Sequence, residues 1–134
     1  MLRSVPLLIV PFILFNLGLA GLLGEGAAAP WDQALFALPM MSGGSFSMTL
    51  GDLLILIALL LLFVEILKAT RTSTASVVDH LLSIFVFVAF LVEFLLVRGA
   101  ATSVFFILMA IAFVDVLAGF TVSLRSAGRD VHFG

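Results

Sequence analysis

Four apolar stretches, each near the length that crosses a bilayer, constrain this chain more than anything else in it: Ser4 to Leu23, Leu50 to Thr70, Val77 to Val97 and Ser103 to Leu124. A helix rises ~1.5 Å per residue, so ~20 residues cover ~30 Å of hydrocarbon. Each stretch is apolar on every side, as a helix facing lipid must be. Of the 134 residues 63% are hydrophobic and 10% charged. A soluble domain is about 45–50% apolar and about 25% charged, and one of this size hides only about two-thirds of its surface. The expected fold is an all-α integral membrane protein, a single membrane domain over 1–134. The four transmembrane helices form an antiparallel bundle over about 4–23, 50–70, 77–97 and 103–124, with an outer linker over 24–49. Short connections favour sequential packing, because Arg98 to Thr102 suffices only for a tight turn.

Basic residues orient the bundle. With four spans the termini share a side, and Arg3, Lys68, Arg71, Arg125 and Arg129 fall on it, against Arg98 alone on the other. The expected topology is N-in/C-in, in a membrane of bacterial inner-membrane type. Two segments have the form of a capping box, Thr49 with Asp52 and Ser76 with Asp79. Gly128 reads as the stop of the last helix.

The outer linker allows two readings. Phe36, Leu38 and Met40 alternate, Ser42-Gly43-Gly44 turns, and Phe46 and Met48 alternate again, which is a hairpin on the membrane surface. Alternatively Trp31, Leu35 and Leu38 mark one face of a short interfacial helix ended by Pro39. Helix followed by turn is the favoured form, because a lone hairpin is marginal. Either form serves as a lid over the outer end or as a place for a partner. Trp31 suits the interface, with its ring in lipid and its N–H wet. The first stretch also resembles a secretory signal peptide, with Ala27-Ala28-Ala29 as the small-residue site. Pro30, the length of the stretch and Asn16 within it favour retention.

Polar residues inside the apolar stretches are costly and invite a functional reading. Counted from the inner ends at ~1.5 Å per residue, His80 lies at about 4 Å, Glu65 at about 7, Asp115 at about 13, Asn16 at about 18 and Glu93 at about 24 Å. Glu65 stands three residues before Lys68 and pairs with it. Glu93 lies near the outer surface and is expected to snorkel there, five residues before Arg98. Asp115 sits close to the midplane, where a charged aspartate costs roughly 2.5–3.5 kcal/mol. Ala112, Gly119 and Ser123 line its face with small residues, so it is expected to face the bundle, with Asn16 as hydrogen-bond partner. Taken together, Asp115, Asn16, Glu65, Glu93 and His80 form either structural glue or a proton relay.

The chemistry excluded is extensive. No cysteine is present, and the two histidines, His80 and His132, are far apart, so neither a metal nor another cofactor is expected. A formal net charge of −2 gives no reason to expect nucleic acid. No phosphate loop, zinc-protease or serine-hydrolase motif occurs, and the chain is not expected to be an enzyme. Phe63-Val64-Glu65-Ile66-Leu67 and Phe113-Val114-Asp115-Val116-Leu117 match faintly, within what low complexity produces. The expected partners are the lipid bilayer and another membrane protein or a second copy of the chain. The leading expectation is a non-catalytic accessory or assembly subunit of a membrane complex; the alternative is a small oligomeric proton-coupled transporter. In size the chain resembles small four-helix multidrug exporters, which use a membrane carboxylate. Its first helix carries Asn16 instead of an acid, with no aromatic box, so the resemblance is one of size.

Overall fold

A computed structural model describes the backbone over residues 6–20, 29–69 and 74–132, and the side chains over 6–20, 31–68 and 77–121. The protein is mostly helical. In chain order come α1 (Ile9–Leu19), α2 (Ala29–Asp32), β1 (Ala34–Pro39), β2 (Ser45–Thr49), α3 (Leu50–Ala69), α4 (Thr74–Leu96), a 3-10 turn (Arg98–Ala100) and α5 (Ser103–His132). Among the described residues three helices are long and apolar enough to cross a membrane: α3, α4 and α5.

Helix α3 starts where its capping box predicts. Asp52 N–H donates to Thr49 Oγ1 and Thr49 N–H donates to Asp52 Oδ2, each at 3.1 Å, which satisfies two of the orphan donors of a helix start. Helix α5 is capped by Thr102, whose Oγ1 accepts from Phe105 N–H at 3.1 Å. It then runs 30 residues, about 45 Å at ~1.5 Å per residue, and does not stop at Gly128. One glycine costs a helix only about 1 kcal/mol, and no proline follows to end it.

Helix α1 is shorter than the apolar stretch that contains it. Its 11 described residues cover about 16 Å, less than a full crossing; Ser4, Val5 and residues 21–23 lie outside the described residues. Pro11 falls in the first turn, where its missing N–H breaks no bond. Leu8, Pro11, Phe15 and Gly18 are buried, so α1 is a core element. Cleavage after Ala29 would take Phe15, which is fully buried, out of that core.

Packing is not sequential. Helix α5 lies along both α3 and α4, which touch each other only slightly. The reason lies in side-chain size. The buried face of α5 carries Phe105, Leu108, Met109, Ile111 and Ala112, wide enough to be shared by two neighbours. Phe105 joins Phe15 (4.8 Å between ring centroids) and Phe90 (5.3 Å), and Phe12 stands edge-on to Phe90 at 4.9 Å. These rings form an aromatic cluster joining α1, α4 and α5.

The linker holds both a helix and a hairpin, each in part. One helical turn, α2, carries Trp31, and β1 pairs antiparallel with β2. Residues 32–47 are all exposed, so the hairpin does not cover the bundle as a lid. Gly43, at φ 91°, supplies the left-handed residue its turn requires. Trp31 is not a wet interfacial anchor. It is 4% exposed, its ring is stacked on Phe15 at 5.3 Å and 6°, and its indole N–H has no hydrogen-bond partner. Gly18 permits this by presenting bare backbone to the indole.

Candidate functional site: a buried polar cluster at one end of the bundle

Each long helix contributes a polar or small pair one turn apart: Glu65 and Lys68 on α3, Asp79 and Ser83 on α4, Asp115 and Gly119 on α5. Residues three or four apart share a helix face, so each pair points one way. Glu65, Asp79, Ser83 and Asp115 are all buried.

Glu65 is the hub. Its Oε1 accepts from Lys68 Nζ at 3.0 Å and from the backbone N–H of Leu7 at 2.8 Å. The second bond ties the segment before α1 to the end of α3. Lys68 Nζ also lies 3.3 Å from Asp79 Oδ1. That contact is an ion pair whose geometry falls short of a hydrogen bond, because Asp79 Oδ1 has no hydrogen-bond partner. One ammonium thus serves two carboxylates from two helices. A third, Asp115, hydrogen-bonds Ser83 and lies within electrostatic reach of Glu65, Asp79 and Lys68. His80 packs over Gly119, where a Cβ would stand 2.5 Å from its Nδ1.

The expected pair of Glu65 with Lys68 is present. Asp79 does not act as a helix cap. Helix α4 begins at Thr74, ahead of Ser76, and Asp79 turns inward to Lys68. The partner of Asp115 is Ser83, not Asn16. Asn16 instead donates through Nδ2 to Phe12 O at 2.8 Å and hydrogen-bonds the side chain of Glu93. Glu93 therefore turns to α1 and does not snorkel away; its Oε2 is buried without a hydrogen-bond partner.

Of the five residues singled out by depth, the structure gathers Glu65, Asp115 and His80 and sets Asn16 and Glu93 apart. Between Ser83 and Glu93 on α4, ten residues span about 15 Å. That interval holds Val86 and Phe90, packed against Phe12, Phe105 and Leu108. Lys68, Asp79 and Ser83 are the members of the cluster that depth alone did not join. Their signal was the i, i+4 spacing of Asp79 and Ser83 within an apolar stretch.

The cluster suits electrostatic joining of helices and proton exchange among carboxylates. Among the described residues no three His, Asp or Glu side chains are grouped to hold a metal ion. Comparison with protein-family models, curated protein sequences and solved structures returns no match.

Proposed function

We propose that this chain is a non-catalytic accessory or assembly subunit of a larger membrane complex. It would be integral to a membrane of bacterial inner-membrane type, with α1 as part of a fourth span and both termini inside. One observation carries the reading: about 15 Å of tightly packed aromatic and aliphatic side chains separates the Glu65 cluster from the Asn16–Glu93 pair. Proton relays step between polar groups over a few ångströms, and no polar side chain lies on α4 between Ser83 and Glu93. The buried polar groups then serve as interhelical ties, each worth roughly 1 kcal/mol in a bilayer. The fourth span draws support from the two ends of α1. Leu7 is tied to Glu65 at one end of the bundle, and Leu19 packs on Gly99 at the other.

Purification of the tagged chain in mild detergent, with mass spectrometry of what accompanies it, tests the proposal. A stoichiometric larger membrane complex is expected. A clean homo-oligomer would overturn the reading. A second reading, a proton-coupled transporter working as an oligomer, is favoured by the three buried carboxylates around Lys68. It requires that Asp115→Asn abolish proton flux in liposomes while the protein still folds.

A further inference from the structure

We propose that the β1–β2 hairpin lies on the lipid surface at the end of the bundle opposite Lys68, with one face against the acyl chains and the other toward water. The register determines the faces. Phe36 pairs with Met48 and Leu38 with Phe46, whereas Ala37 pairs with Ser47 and Pro39 with Ser45. Directly paired residues share a face, and alternate residues along a strand oppose each other. One face is therefore entirely large and apolar, with the Phe36 and Phe46 rings 5.8 Å apart. The other face carries Ala37, Pro39, Ser45 and Ser47, with Leu35 at the irregularity between Ala34 and Phe36.

In a soluble protein the apolar face of such a sheet packs on a core. Here it is open: Leu38 is 50% exposed, Phe36 and Phe46 are over 40% exposed, and Met41 at the tip is fully exposed. A contiguous patch of this kind marks a surface that something covers. Three observations commit it to lipid. No charged residue lies between Asp32 and Asp52, so the face lacks the charged groups that fix the register of a protein interface. Strand addition to β1 is blunted by Pro39, and β2 passes directly into α3 after five residues. The hairpin is also fixed to α3, because Leu50 N–H bonds to Gln33 O at 2.9 Å and places the hairpin root on the first turn of a helix long enough to cross a membrane. An uncharged amphipathic element fixed at that level meets the headgroup–acyl boundary before anything else.

The chain contains no cysteine, so one introduced thiol carries an environment-sensitive dye alone. The full chain is reconstituted in phosphatidylcholine vesicles with the dye at Leu38→Cys, Phe46→Cys, Ala37→Cys or Ser47→Cys, all exposed positions. The proposal expects blue-shifted emission at the first two, lost on adding lipids with a nitroxide near the headgroup. The other two should keep water-like emission and lose it to iodide. Quenching of all four by iodide alone would overturn the proposal by placing the hairpin in water. Blue-shifted emission at Leu38 and Phe46 that neither quencher reaches would overturn it in favour of a protein covering the face, a second copy included.

Discussion

Replacing Gly18 with alanine tests how the hairpin end of the core is built. A Cβ there would stand 2.9 Å from Trp31 Cε2, and closer still to Cζ2. Ordinary carbon–carbon contact is ~3.5–4.0 Å, so the indole must move by about 1 Å. It has little room to do so, because Phe15 lies parallel to it on one face and its carbonyl oxygen and Cβ close on Gly51. Overpacking of this kind costs about 1–3 kcal/mol, and the aromatic stack adds about 0.5–1.5 kcal/mol if it is lost. A destabilisation of about 2 kcal/mol is expected. Trp31 is the sole tryptophan, so its fluorescence reports the site without interference. In detergent micelles Gly18→Ala should shift the emission to the red, raise acrylamide quenching, and lower the midpoint of denaturation by sodium dodecyl sulfate. In a Trp31→Leu background the same substitution should cost under about 0.5 kcal/mol, because the clashing ring is gone. Unchanged emission, or strict additivity of the two substitutions, would refute the seating of Trp31 on Gly18.

Lys68→Met removes the cation between Glu65 and Asp79. It should destabilise the protein by about 3 kcal/mol, the low end for breaking a buried pair, given the 17% exposure of Lys68; Lys68→Met with Asp79→Asn should recover part of this in the same denaturation assay. Asp115→Asn keeps a group that bonds Ser83 and should fall within about 0.5 kcal/mol of the parent, whereas Asp115→Leu should lose about 0.6–1.7 kcal/mol. Thr49→Ala removes one arm of the α3 capping box at a cost of about 1 kcal/mol, read as faster amide exchange at Asp52.

The three long helices are legible because long apolar runs bounded by polar and small residues mark them in the sequence. Leu50 to Thr70 became Leu50–Ala69 and Val77 to Val97 became Thr74–Leu96, shifted by at most three residues, whereas Ser103 to Leu124 became Ser103–His132, eight residues longer. Their lateral arrangement was not legible. A helix apolar on every side carries no stripe that says which face meets which neighbour. Residue counting fixes the depth of Asp115 but not its direction, and depth alone does not distinguish Asn16 on α1 from Ser83 on α4 as its partner. Asp79 was misread because Ser76-Val77-Val78-Asp79 fits a capping box in sequence, while the helix begins two residues earlier. Trp31 was misread because its burial depends on the absent side chain of Gly18, a contact between residues 13 apart that no local pattern records.

The bond from Leu7 N–H to Glu65 spans 58 residues of sequence, and the contact of Phe15 with Phe105 spans 90. A ribosome adding about 5–20 residues per second delivers Phe105 roughly 5 to 20 s after Phe15. The contacts of α1 are therefore complete only once α5 has been made. Glu65 follows Leu7 by 58 residues and Glu93 follows Asn16 by 77, so α1 can gain its polar partners first, and only its aromatic contact with Phe105 waits for α5. A mutation that slows the arrival of α5 would prolong that wait without altering a single contact in the finished protein.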